Sequence, residues 1–292
     1  MKILVTGGSG FVGSRLLKLL NGKHEIYSPT HSEMDICNPE SIDKAICGYR
    51  PDAVIHCAAL SNTWYCEQHP EESFKVNVEA TRDIAAACAR IGAKLIFMSS
   101  DQVYNGTAIE GPLPEDSPLA PVNHYGRHKL LAEQKVMEIL PSAVGLRLTW
   151  MYDRPDSTLK LNTNILVNLA KAGMNGETIQ AATHEHRGMT NVWEVAGNIV
   201  KCLSIPGGIY NFGSRESLTS PSDSGSVCNP LGSYGVFREC AALMGLPEGT
   251  VAADEERFRE QPRNLAMDTS KIEALGIRFR DTMTGLRETI AG

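Results

Sequence analysis

The stretch Lys2-Ile3-Leu4-Val5-Thr6-Gly7-Gly8-Ser9-Gly10-Phe11-Val12-Gly13 decides the fold. Lys2 to Thr6 is a short apolar run that reads as a buried strand. It passes into glycines at 7, 10 and 13 and then into an amphipathic run, Leu16, Leu17, Leu19 and Leu20, which ends near Asn21-Gly22. Strand, glycine turn and helix in that order have a physical purpose. The turn must bring backbone N–H groups and a helix N-terminus up to a pyrophosphate, and side chains would block the approach. A glycine pattern in an arbitrary place is weak evidence, but this one lies between a strand and a helix and predicts a dinucleotide site.

Outward from this turn, strands and helices alternate. Glu25 to Pro29 reads as a second strand, followed by a helix from Pro39 through Cys47 and a buried strand, Asp52 to His56, that ends at Cys57-Ala58-Ala59. Pro70 to Ile91 reads as one long helix with Phe74, Val76, Val78, Ile84 and Ala85 inward. Asn77 within it either caps a backbone irregularity or faces solvent. Ala93 to Met98 and Val144 to Leu148 are further strands. The order β-α-β-α-β-α-β-α-β predicts an α/β fold, a doubly wound parallel-sheet Rossmann fold, over residues 1–152. Beyond Asp153 the pattern changes to a smaller C-terminal substrate-binding lobe over 153–292, with about 190–212 returning to the Rossmann core. Helices are expected at Asn164–Ala172, Val192–Leu203, Ser233–Gly245, Asp268–Leu275 and Thr282–Ile290, and strands at Glu177–Ala181 and Gly208–Phe212. Leu218 to Gly232 reads as a Ser/Pro/Gly-rich insert.

The end of the second strand bears on the cofactor. An acidic residue there binds the ribose hydroxyls of NAD. Ser28-Pro29-Thr30-His31-Ser32 offers hydroxyls and a histidine, with no carboxylate until Glu33. That set accepts a 2′-phosphate without repulsion and leans towards NADP(H), with NAD(H) the alternative; His31 reads equally as an exposed loop residue.

Tyr125-Gly126-Arg127-His128-Lys129 carries the candidate chemistry. Positions four apart share one helix face, so a phenol and an ammonium project together. Lys129 beside Tyr125 should favour the phenolate and lower the tyrosine pKa, making a proton donor for carbonyl reduction. Alone, the pair reads just as well as a solvated surface couple.

Composition sets outer limits. The chain has 292 residues, 42% of them hydrophobic, and a formal net charge of -6, which argues against an electrostatic nucleic-acid binder. No apolar run approaches the roughly 20 residues that span a bilayer. The N-terminus enters a strand without a signal-peptide layout. The eight cysteines are scattered with no Cys-x-x-Cys pair, which favours free thiols in a reducing cytoplasm over disulfides or a zinc site. A cytoplasmic location, no metal, no membrane partner and a homodimer as the default assembly are the resulting expectations.

With the glycine turn, Ser100 and Tyr125/Lys129 together, the chain resembles an extended short-chain dehydrogenase/reductase. The resemblance is close to the dTDP-4-dehydrorhamnose reductase family and its relative, the regulatory β-subunit of methionine adenosyltransferase, over nearly the whole length. It also rests on Ser99-Ser100-Asp101-Gln102-Val103-Tyr104-Asn105-Gly106, Arg147-Leu148-Thr149-Trp150-Met151-Tyr152 and Arg263-Asn264-Leu265-Ala266-Met267-Asp268-Thr269-Ser270-Lys271. The resemblance implies a catalytic set in which Tyr125 donates the proton, Lys129 binds the nicotinamide ribose and Ser100 bonds the substrate carbonyl. It assigns Gly7, Ser9, Gly10, Phe11, Val12 and Gly13 to the pyrophosphate turn, Asp35 and Ile36 to the adenine, and Ala58 and Ala59 to the nicotinamide side. Gln102, Trp150 and Arg187 fall to the substrate, although Trp150 could be a core aromatic and Arg187 a plain surface charge.

The departures matter too. Gln102 stands where the reductases have a tyrosine and the related 4,6-dehydratases a catalytic glutamate. An amide is no general acid or base near neutral pH, which disfavours elimination chemistry. His186 and Met189 replace a tyrosine and a proline of the substrate-lobe motif. The implied activity is NAD(P)H-dependent reduction of the 4-keto group of a nucleotide-activated deoxysugar. An NAD-dependent nucleotide-sugar epimerase and a non-catalytic NADP-binding regulatory subunit are the alternatives.

Overall fold

The computed structural model describes residues 1–217 and 230–292. β1 (Lys2–Thr6), β2 (Glu25–Tyr27), β3 (Ala53–His56), β4 (Lys94–Ser100), β5 (Val144–Leu148) and the strand Gly208–Phe212 form one six-stranded sheet. From one edge the order is Gly208–Phe212, β5, β4, β3, β1, β2, and every pairing is parallel. Parallel strands are covered on both faces, which is why β1 is a continuous apolar run and not an alternating one. Ile3 and Val5 enter the core on one face with Leu16, Leu20, Ile55 and Ile96. Leu4 enters the other with Val54, Ile84, Leu95 and Phe97. From β1 the chain moves outward to β2 and then crosses to β3 on the other side. The C-terminal ends of β1 and β3 therefore flank a crevice, the usual place for a ligand in such sheets.

Most elements lie close to their expected positions, and the deviations have local causes. β2 ends at Tyr27, two residues early, since Pro29 cannot donate to a ladder. The expected helix 70–91 is a composite of α-helix Pro70–Phe74, one π-turn at Lys75–Glu79 and α-helix Ala80–Ile91. Asn77 sits buried in the π-turn. Its Oδ1 accepts from Leu60 N at 3.2 Å and its Nδ2 donates to Leu60 O at 2.9 Å, so of the two readings the backbone irregularity holds. That amide pins the loop following β3. Phe74 lies at the surface instead of facing inward.

Residues 190–212 lie on and in the sheet: helix Val192–Lys201 packs its Val192, Val195 and Ile199 into the core of helix Phe11–Leu20, and Gly208–Phe212 pairs with β5. The rest of the C-terminal half has its own core, with Leu169, Phe237, Cys240 and Leu286. It is stitched by short parallel pairs: Trp150–Tyr152 with Met189–Asn191, Ile179–Ala182 with Val251–Asp254, and Glu185–Arg187 with Arg263–Leu265. The Arg263–Lys271 stretch also straps the loop after β4. Asn264 Nδ2 donates to Ile109 O at 2.8 Å and Gly111 O at 2.6 Å, and Leu113 bridges to Met267. Of the expected 218–232 insert, residues 218–229 lie outside the described residues, and Gly232 already begins the helix Gly232–Leu243. Among the described residues all seven cysteines are free thiols, and no helix is long and apolar enough to cross a membrane. Cys228 lies outside them.

Candidate active site

The crevice at the strand ends opens into a cleft of about 800 Å3 that runs from the glycine turn to the C-terminal lobe. At one end, Gly7 adopts φ +67°, a conformation that favours glycine, and a Cβ there would lie 2.6 Å from Ala58 N. A Cβ on Gly13 would collide with the Gly7 carbonyl. The turn is thus closed by backbone against backbone. Helix Phe11–Leu20 starts at Gly10 with no side-chain cap and no acidic residue in its first turn. The helices at Pro39, Ile165, Val192 and Thr282 are each capped by an Asn or Asp side chain. Free first-turn N–H groups at a bare helix end suit an anion, so this end fits the diphosphate of a dinucleotide.

Midway along the cleft, β4 delivers Ser100 and helix His124–Ile139 delivers Tyr125 and Lys129; all three are buried and line the cleft. Asn123 caps this helix through Gly126 N at 2.6 Å, which sets the turn from which Tyr125 projects. Ser100 Oγ donates to Asp101 Oδ1 at 3.1 Å and accepts from Gln102 N at 3.2 Å. Lys129 Nζ donates to Met98 O at 2.9 Å and lies 5.7 Å from the centre of the Tyr125 ring.

The electrostatics overturn one expectation. Tyr125 does not have a lowered pKa here. Burial pushes it well above its ordinary value, with the Ser100 hydrogen bond opposing and the Asp101 charge adding to the rise. Lys129 is itself desolvated and pushed down to about 8 by burial, with Glu133 pulling the other way. Its ammonium faces a strand carbonyl and not the phenol oxygen. Spacing on a helix fixes which side chains share a face, but burial decides their protonation.

The far end of the cleft is built from side chains. Arg187 Nη2 donates to Asp101 Oδ2 at 2.5 Å, and its guanidinium sits 5.5 Å from the Trp150 ring, which stacks on Phe237. Gln102 Oε1 accepts from Asn123 Nδ2 at 3.0 Å and from Arg263 Nη2 at 2.9 Å. Arg263 pairs with Glu185 at 3.0 Å. The cleft lining here includes Arg187, Arg257 and Arg263 against Asp101 and Glu185, so cations are in excess. Nε of Arg187 and Nε of Arg263 are buried without a hydrogen-bond partner among the described residues. The excess positive charge suits an anionic group on a ligand.

Gly7, Gly10, Phe11, Val12, Gly13, Ala59, Ser100, Gln102, Tyr125, Lys129, Trp150 and Arg187 all line this cleft. Four other expected residues do not. Ser9 is exposed at the turn, and Ala58 packs against Gly7 while its N–H donates to Thr6 Oγ1 at 3.3 Å. Asp35 accepts from Cys37 N at 2.9 Å in a local turn, and Ile36 packs against the core. Gln102 is held as part of the wall, its carbonyl oxygen committed to two partners. His186, which replaces a family tyrosine, is bonded to Glu216 at 2.8 Å, and this partner raises its pKa. Asp101, Arg263, Lys160 and Asn162 were not singled out as site residues by sequence reasoning. Asp101 and Arg263 lie inside the quoted motifs; Lys160 and Asn162 carry no local signal.

A parallel sheet with a glycine turn, a strand-end serine and a Tyr/Lys pair on one helix face defines the extended short-chain dehydrogenase/reductase class. Within it, the RmlD substrate binding domain model matches residues 1–292, and the chain belongs to that family. The probable low-salt glycan biosynthesis reductase Agl14 of Haloferax volcanii is 29% identical over 94% of this chain and 91% of its own length. Methionine adenosyltransferase 2 subunit beta of Xenopus laevis is 27% identical over 99% of this chain and 87% of its own. Among solved structures, the dTDP-4-dehydrorhamnose reductase of Bacillus anthracis in complex with NADP superposes with a TM-score of 0.83 at 22% identity, covering 99% of this chain and 98% of that one.

Proposed function

We propose that the protein is an NADPH-preferring reductase, with NADH the alternative donor, acting on the 4-keto group of a nucleotide-activated deoxysugar. The observation that carries this reading is the meeting of Ser100, Tyr125 and Lys129 on the wall of the cleft that begins at the glycine turn. The bound nicotinamide supplies a hydride. Everything else falls to the chain's own residues. The helix N-terminus at Gly10 and the turn hold a diphosphate, and Ala59 leaves room beside the strand ends. Ser100 releases its bond to Asp101 and donates to the carbonyl oxygen, where negative charge develops. Tyr125 then gives that oxygen its proton. A buried, weakly acidic phenol is reluctant to ionise in the resting cleft, so it holds the proton until a more basic oxygen forms. Lys129 supplies a positive charge behind it below about pH 8.

At the other end, Arg187 and Arg263 offer positive charge to the nucleotide diphosphate, and Trp150 presents a ring face to the sugar. Gln102 has no proton to exchange, which supports reduction over elimination. Following NADPH absorbance at 340 nm with dTDP-4-dehydrorhamnose tests the substrate; no oxidation at high enzyme concentration overturns it. The methionine adenosyltransferase subunit beta relative favours a second reading, a dinucleotide-binding regulatory subunit. A stoichiometric partner recovered from the native cell, together with no turnover of any keto-sugar nucleotide, would select that one.

A further inference from the structure

The segment 153–163 leaves the sheet edge after Tyr152 and runs to the helix Ile165–Asn175, and one buried arginine fixes its course. Arg15 lies on helix Phe11–Leu20 and is completely buried. Its Nε and Nη2 donate to Asp153 Oδ2 at 3.1 and 2.8 Å. Its Nη1 donates to Lys160 O at 2.6 Å and to Phe11 O at 3.2 Å. Farther along the same helix, Lys18 Nζ reaches Thr158 Oγ1 at 3.2 Å. A buried ion pair gains little over apolar packing of the same volume, so its contribution here is register. It ties the segment to the helix whose first turn closes the glycine loop.

The consequence concerns Lys160. Its backbone carbonyl shares one Arg15 nitrogen with the carbonyl of Phe11, the first residue of that helix. Lys160, Asn162 and Thr163 all line the cleft together with Gly7, Gly10 and Phe11. The Lys160 side chain is exposed, and its ammonium makes no hydrogen bond or ion pair among the described residues. The Lys160 backbone is thereby held beside the first turn of an uncapped helix, and its cation sits on a flexible stem at the cleft wall.

The geometry points to Lys160 as a ligand-binding cation for a diphosphate in the glycine turn, carried there on a strap pinned by Arg15 and Asp153. The assignment rests on the dinucleotide reading above. Backbone N–H groups approach the diphosphate from the helix side, and the Lys160 ammonium approaches from the strap. The contact is a point charge at the protein surface, so it weakens with salt. A diphosphate could come from the dinucleotide or from the sugar nucleotide. The anchorage at Phe11 commits Lys160 to the dinucleotide.

The test is equilibrium binding of NADPH, followed by its fluorescence, to the wild type, Lys160→Ala and Lys160→Arg at low and high salt, with dTDP binding measured in parallel. Lys160→Ala should weaken NADPH about tenfold at low salt, the scale of one charge-assisted contact, and flatten the salt dependence. Lys160→Arg should restore affinity to within about threefold, and dTDP should bind all three proteins alike. Trypsin supplies a second readout in the wild type, because cleavage after Lys160 should be slowed by NADPH and not by dTDP. Equal NADPH affinity in wild type and Lys160→Ala overturns the assignment, as does a loss confined to dTDP. A wild type that binds no NADPH at all overturns the dinucleotide reading and this assignment with it.

Discussion

The two ends of the cleft are built on opposite plans. The dinucleotide end is main chain: one turn, one uncapped helix and glycines that let backbone touch backbone. The proposed substrate end is side chain: Asp101, Gln102, Trp150, Glu185, Arg187 and Arg263 come from four separate stretches and hold one another through hydrogen bonds, ion pairs and ring contacts. A main-chain site needs a contiguous motif and tolerates little change in it. A side-chain site needs only that distant residues converge, so its members can be exchanged one at a time, as Gln102 and His186 have been relative to the family pattern. The proposed catalytic set stands between, with its serine on a strand end and its tyrosine and lysine on one helix face.

This contrast can be broken by substitution. The largest effect should come from the junction: Tyr125→Phe removes the proton donor while preserving the ring packing. It should lower kcat about a thousandfold and leave NADPH affinity within about twofold, read by steady-state kinetics beside fluorescence titration. Next comes Asp101→Asn, which leaves the Arg187 guanidinium without its buried counter-charge. It should destabilise the fold by about 2–3 kcal/mol in denaturant melts, less than for a fully enclosed pair because Arg187 keeps some solvent contact. NADPH affinity should survive this change, since the damage is at the other end. Gly13→Ala should do the reverse, weakening NADPH at least about tenfold through the clash with the Gly7 carbonyl while sparing dTDP binding. If either variant harms both ligands equally, the ends are not separable.

The smallest effect is a pH dependence. Lys129 titrates at about 8 because burial lowers it, so its ammonium is present below that pH and lost above it. NADPH binding should weaken several-fold between pH 7 and 9, and Lys129→Met should flatten the profile. A profile unchanged by that substitution would assign the pH response elsewhere.

What could be read beforehand follows the same division. The turn from Gly7 to Gly13, the strand–helix alternation up to Leu148 and the Tyr125/Lys129 pair on one helix face are legible because each is a local pattern whose period or spacing reflects backbone geometry. The three-residue strands at Glu185 and Arg263 were not, because so short a run carries no alternation, and their pairing joins residues more than seventy apart in sequence. Lys160 gave no signal for the same reason, since its place depends on the buried Arg15–Asp153 pair. The helix from Pro70 reads as continuous because its apolar spacing hardly changes across the π-turn; only a polar Asn77 among apolar neighbours hints at the break. The sequence points the Tyr125 shift downward because proximity to a lysine is visible in it and desolvation is not.

On the proposed mechanism both ends of the cleft serve one hydride transfer to one carbonyl. Its most direct test is turnover with NADPH deuterated at nicotinamide C4, in the transferable position, and a 4-keto nucleotide sugar, with the product followed by mass spectrometry and NMR. A reduced sugar carrying one deuterium at C4 is expected, formed by the wild type and lost in Tyr125→Phe. A product without deuterium, or no product from any 4-keto nucleotide sugar while NADPH still binds, would contradict it.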